Sequence, residues 1–151
     1  VEVDYVSLNE PDREGRIIVP HTLVWTGLRW HVRGWCEKNQ DYRDFVLSRF
    51  RGEPELLNAS DHTGGSDDDW HTLVTIQIAP DPRLTADQQA VVAHDYGMTD
   101  GKWQLPVRAK LLPYLLQLLR LDPTRLMEDP RAQQIVILNQ ADIEAWLFPS
   151  G

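Results

Sequence analysis

Basic and aromatic side chains recur at alternate positions in Arg29-Trp-His31-Val-Arg33-Gly-Trp35. In an extended strand alternate residues share a face, so Arg29, His31, Arg33 and Trp35 fall on one side, and Leu28, Trp30, Val32, Gly34 and Cys36 on the other. The first side is chemically equipped for an anionic, planar ligand: guanidinium forks for phosphate oxygens, a titratable ring, and an indole to stack on. A plainer reading stays open, a solvated face whose arginines pair with Glu37, Asp41 and Asp44. The second side reads as core. It places Trp30 inside and makes the single cysteine, Cys36, a buried inert thiol that suits a reducing cytoplasm.

Other chemical groupings are weaker. His62, Asp67, Asp68, Asp69 and His71 invite a metal, yet their spacing follows no zinc or EF-hand pattern, and the segment reads as a solvated linker. His94-Asp95 ends a helix, where a histidine suits the terminal carbonyls. Ser48 lies in no nucleophile elbow. With no phosphate-binding loop, metal set or nucleophile-base pair, an enzyme is not expected, nor is any cofactor.

These residues need elements to position them. Val1-Val3-Tyr5 alternates as a strand, followed by Ile17 to Trp25, Leu28 to Cys36 and Tyr42 to Phe50, with turns at Thr26-Gly27 and Lys38-Asn39-Gln40-Asp41. Gly27 and Asn39 are the residues that tolerate positive φ there. Pro20 cannot donate to a ladder, so it belongs at an edge or a bulge. Four close strands suggest a small antiparallel barrel. After a polar stretch with Gly64-Gly65, Leu73 to Ile78 and Trp103 to Val107 read as strands, as does Ile135 to Leu138. Thr85-x-x-Gln88 has capping-box spacing before a helix ended by Gly97, and Ala109 to Leu121 is a Leu-rich helix that tolerates Pro113 only in its first turn. The leucines from Leu111 to Leu121 are too many for one stripe, and serve as core or dimer contact. A last helix covers Ala141 to Leu147, and the order suggests a small α+β sandwich.

The 151 residues carry 15 Lys and Arg against 23 Asp and Glu, a net charge of -8. The imbalance is uneven: residues 1–51 hold eight of each sign, and all the excess acid lies beyond. Such a chain lacks bulk attraction for nucleic acid but has room for a local anion site in its neutral first part. No apolar run is long enough to cross a membrane, since Pro113, Tyr114, Gln117 and Arg120 interrupt the longest. The opening Val1-Glu-Val-Asp, without initiator Met or leader, reads as a trimmed segment.

Three motifs in order, Arg16-Ile-Ile-Val-Pro-His-Thr-Leu-Val24, Gly27-Leu-Arg-Trp-His-Val-Arg-Gly-Trp35 and Tyr42-Arg-Asp-Phe-Val-Leu-Ser-Arg-Phe50, resemble the WYL domain of bacterial transcriptional regulators, especially the branch associated with phage defence. The remainder resembles, more loosely, the C-terminal extension of such regulators. The resemblance implies a five-stranded SH3-like or Sm-like barrel over residues 1–57, a linker over 58–71, and a dimerising α+β extension over 72–151. It also implies a nucleic-acid or nucleotide-like ligand, a homodimer, and a DNA-binding winged helix that normally precedes these parts and is absent from this sequence. Carried across residue by residue, the ligand-binding candidates are His21, His31, Arg33, Arg43, Ser48 and Arg49. The family's central Trp-Tyr-Leu is Trp30-His31-Val32 here, an imidazole in place of a phenol. Arg43 and Arg49 share parity with Phe45 and Leu47, so a bulge or curvature is needed to bring both to Arg33. The alternative function is a nucleic-acid-binding accessory module of a helicase or nuclease.

Overall fold

Alternating apolar residues make β1 (Glu2–Tyr5) a strand with one buried face, carrying Val3 and Tyr5. The structure is a computed structural model that describes residues 1–9 and 14–147. The chain divides into two compact units, Val1–Asp68 and Asp69–Gly151.

In the first unit β1 is joined by β2 (Glu14–Trp25), β3 (Trp30–Cys36), β4 (Asp41–Val46) and β5 (Phe50–Glu55) in an antiparallel sheet of order β4-β3-β2-β1-β5. Its core is Val3, Tyr5, Ile18, Val32, Cys36 and Phe45, with the Tyr5 ring set edge-on to Phe45 and Phe50. Among the described residues β4 and β5 do not pair, so the sheet stays open and is not a closed barrel. The expected strand from Tyr42 to Phe50 is broken by a 3-10 turn, Leu47–Arg49, and its last residue begins the fifth strand. At that break the Tyr5 hydroxyl accepts a hydrogen bond from the Val46 N–H (3.0 Å).

Two local expectations are met and one is corrected. Gly27 takes positive φ (94°) in the β2–β3 turn. In the β3–β4 turn the positive φ falls on Gln40 (50°), not Asn39. The Asn39 side chain is engaged elsewhere, accepting from the Cys36 thiol (3.1 Å), while the Gln40 amide donates to the Glu37 carbonyl (2.7 Å). The β2–β3 register shifts between Pro20 and Thr22, so the proline does sit at a bulge. That bulge drives the β2 backbone against β3 at Gly34, where a Cβ would lie 2.5 Å from the Val19 carbonyl oxygen and 2.8 Å from Pro20 Cα.

The second unit begins in a short helix, α1 (Asp68–His71), that straddles the division. It builds an antiparallel sheet β7-β6-β8 from β6 (Leu73–Pro80), β7 (Trp103–Arg108) and β8 (Ile135–Ile137). Helix α2 (Ala86–Asp95) starts with the capping box read from the sequence, Gln88 N–H donating to Thr85 Oγ1 (3.2 Å) and Thr85 N–H to Gln88 Oε1 (2.9 Å). Gly97 follows with φ 62°. Pro113 falls in the first turn of α3 (Leu112–Leu118), which is shorter than expected because a 3-10 turn precedes it and Arg120 turns to positive φ (54°) after it. Leu112, Leu116 and Leu121 pack with Ile76, Ile78 and Ile135, joined by Ile143 of α4 (Gln140–Ile143), whereas Leu118 is exposed. The closing helix shortens too, passing into a 3-10 turn at Glu144–Trp146. A mainly β unit followed by an α+β unit is thus the observed class. Among the described residues no helix is long and apolar enough to cross a membrane.

Gly34→Ala is expected to destabilise by at least the ~1–3 kcal/mol typical of overpacking, because the obstruction is backbone. Gly15→Ala, whose added Cβ meets among the described residues only the flexible Glu2 and Asp4 side chains, is expected to stay within about 0.5 kcal/mol. Urea midpoints of the two variants check the contrast.

Candidate ligand-binding site

Strand β3 is buried on both faces: Val32 and Cys36 on the core side, His31 and Arg33 on the other. A guanidinium only 3% exposed must be neutralised, since an unpaired charge out of water costs several kcal/mol. The partner is Asp67, 34 residues along the chain. Arg33 Nε donates to Asp67 Oδ2 (2.7 Å) and Nη2 to Oδ1 (2.9 Å), a bidentate pair, while Asp44 lies 3.6 Å from Nη1. His21 Nε2 also bonds Asp67 Oδ2 (2.9 Å), and its Nδ1 meets Thr22 Oγ1 (2.7 Å). A carboxylate only accepts, so Nε2 carries the hydrogen.

Around this anchor, residues 62–67 lie over the sheet. Tyr42 Oη donates to the Thr63 carbonyl (2.6 Å), the His62 ring stacks on Trp35 at 3.8 Å and 9°, and Gly64 abuts the His21 ring. Asp67 is 1% exposed, so this residue of the stretch read as a solvated linker is not itself solvated. Its pairing with Arg33 corrects the solvated-face reading of β3. Of the acids named there, Asp44 does approach Arg33, but the main partner is Asp67.

Trp30 is the second correction. Expected in the core, it is 47% exposed, with its ring 5.4 Å from that of Trp25, itself 54% exposed. The two are the last pair of the β2–β3 ladder. Parity puts Trp30 on the core side, but the buried cluster stops at Val32.

His31 is buried between Val24 and Val46 in the ladder. Burial pushes its pKa below the usual histidine value; Asp44 opposes this, and the charges of Arg29 and Arg49 reinforce it. Among the described residues neither of those arginines pairs with a carboxylate.

The candidate residues therefore divide. His21 and Arg33 come together through Asp67, and Arg49 shares the electrostatic neighbourhood of His31. Arg43 sits opposite Gly34 on the Phe45 side of β4, where its guanidinium is 3.7 Å from Asp41, so it does not join Arg33. Ser48 is exposed in the 3-10 turn, and its carbonyl accepts from Arg51 Nη1 (2.7 Å). The sequence reading missed Asp67, and it noted Arg29 on the strand face without counting it in the site. The only signal for Asp67 was its place in the acidic run, which does not say which carboxylate turns inward.

Residues 1–52 match the family described as WYL domain, and residues 73–143 match that of the BrxR transcriptional regulator, C-terminal dimerization domain. Relatives include the DNA-binding transcriptional repressor CapW of Stenotrophomonas maltophilia, 34% identical over 147 residues, which are 97% of this chain and 49% of that protein. The CapW repressor of Escherichia coli (strain KTE188) is 37% identical with the same coverages. The chain spans about half the length of the curated relatives it matches. Among solved structures, proteasome accessory factor B/C of Arthrobacter aurescens aligns over 99% of this chain and 25% of its own at 21% identity, with a TM-score of 0.36 that carries no argument.

The lowered His31 pKa has a definite sign in stability. The unfolded chain binds its proton more readily, so this contribution is complete above the ordinary value of about 6.5 and is lost as pH falls below it. Urea unfolding at pH 7.5 and 5.5 (about one unit either side of that value) is expected to show a lower midpoint at the acid end, and His31→Gln a smaller difference. Equal pH dependence in both proteins would count against it.

Proposed function

Since the chain belongs to the WYL-domain transcriptional regulators with a BrxR-type C-terminal dimerization domain, we propose that it is the ligand-sensing and dimerising part of a repressor. In this reading residues 1–52 take a nucleic-acid fragment or nucleotide-like anion, the second unit pairs with a second copy, and DNA is contacted by parts of the protein outside these 151 residues. The relatives are repressors rather than enzymes, and no catalytic step is assigned. A cytoplasmic regulator of phage-defence genes is the setting the resemblance implies.

The observation that carries the ligand proposal is the unspent charge at His31. On a chain of net charge -8, Arg29 and Arg49 both act on a buried imidazole, and of the nearby carboxylates Asp44 opposes them but, among the described residues, pairs with Arg33 rather than with either. An anion placed there gains charge-assisted hydrogen bonds from Arg29 and Arg49. Trp25 and Trp30, at the same end of the hairpin as Arg29, offer exposed rings on which bases can stack. Ligand binding acts on DNA affinity only if it favours one arrangement of the dimer over another, since a ligand shifts an equilibrium by its differential affinity and no more. In a symmetric regulator that difference is read as the spacing of the two DNA-binding elements. Similarity to repressors along 97% of the chain favours this reading over the accessory-module alternative.

The test is fluorescence anisotropy with a labelled single-stranded oligothymidylate. Arg49→Ala and Arg29→Ala are each expected to cost on the order of 1.5–3 kcal/mol of binding. Each should flatten the log-log salt dependence by about 0.7. Arg43→Ala should cost much less. Absence of binding, or equal losses for all three, would sink the proposed site. Sedimentation of the same chain at micromolar concentration is expected to give a dimer, and a single-chain mass would overturn that part.

A further inference from the structure

Residues 60–66 include no buried side chain, and Asp67 is the one residue of the segment 60–67 that is buried. A segment fastened by apolar burial is released only by unfolding what it packs against. One fastened by a carboxylate in a guanidinium fork can be released by another oxyanion, because the fork stays neutralised throughout the exchange. Arg33 lies two residues from His31 on the same face of β3, so the fork adjoins the unspent cations.

We propose that Asp67 is a resident stand-in for a phosphate of the ligand: a phosphate group entering beside His31 takes the Arg33 and His21 hydrogen bonds, and the segment 62–67 lifts from the sheet. The exchange balances in charge, one oxyanion arriving as the carboxylate returns to water. The other holds seen on the segment include the non-ionic Tyr42–Thr63 hydrogen bond, the His62–Trp35 stack and the close approach of Gly64 to the His21 ring. The strap runs directly into α1, which straddles the division between the two units. This inference rests on the reading of the first unit as an anion sensor, and it adds the contact that holds the sensor shut in the absence of ligand.

Hydrogen exchange of the whole chain, read by mass spectrometry, tests it with inorganic pyrophosphate as probe and sodium chloride of equal ionic strength as control. The reporters are the Ser66 and Asp67 amides, which donate to the Thr63 and Gly64 carbonyls. Saturating pyrophosphate is expected to speed exchange in peptides spanning 62–67 by about tenfold or more, leaving those of β6 unchanged. Asp67→Asn, which keeps the shape and removes the competing charge, should bind pyrophosphate about tenfold more tightly. If that variant does not fold, the wild-type measurement decides alone. Protection of 62–67 that is unchanged or raised by pyrophosphate would overturn the exchange. The two proposals fail separately: oligothymidylate held through Arg49 while 62–67 stays protected sinks the strap and spares the ligand site. Strap opening by pyrophosphate without oligothymidylate binding does the reverse.

Discussion

The buried Arg33–Asp67 pair is the interaction on which the first unit is organised. Removing either partner of such a pair leaves a charge stranded away from water, at a cost of about 3–5 kcal/mol. The bidentate geometry fixes the direction from which Asp67 must arrive, and with it the path of residues 62–67 across the sheet. His21 shares the carboxylate, Tyr42 stands edge-on to both His21 and Trp35, and Gly64 fits because anything larger would strike the imidazole. A strand that parity makes one-sided is therefore buried on both.

That interaction also sorts the arginines. Arg33 has spent its charge within the fold, and Arg43 lies on the opposite side of β4 against Asp41. Arg29 and Arg49 raise the electrostatic potential at His31 instead, which contributes to its reluctance to take a proton. Whether a guanidinium is structural or available is decided by the carboxylates within reach, and alternation along a strand cannot report that.

Much of the fold was legible because its determinants are local. Pro20 lacks an N–H and made its bulge, Thr85 and Gln88 closed their capping box, and Pro113 found the first turn of α3. Where the determinant was distant the reading failed. Asp67 looked like part of a solvated acidic run because its partner is 34 residues away, and Trp30 looked buried because parity gives the side of a sheet but not how far the core extends along it. In the β3–β4 turn the positive φ falls on Gln40, while the Asn39 side chain accepts from the Cys36 thiol, a detail residue propensity does not record. The candidate site was half legible: the cationic face of β3 could be read, but which of its charges were already satisfied could not.

The second unit shows how separation in sequence changes what an ion pair does. Asp81 is as buried as Asp67, and hydrogen bonds from Arg83 hold its carboxyl below the usual range. Yet Arg83 is two residues away and 39% exposed, so its pairing shapes one turn and, through the Met127 and Glu128 carbonyls, ties down one loop. Solvent screens it, and little entropy is recovered from so short a closure. Arg33–Asp67 closes a much longer span and is dry, so it holds far more of the chain. The charge distribution adds a direction: residues 1–51 are neutral and all the excess acid lies beyond them. An approaching anion is repelled by the net charge of the sequence after Gly52 and meets in the neutral first part Arg29 and Arg49, close along the sheet to the buried fork that Asp67 already fills.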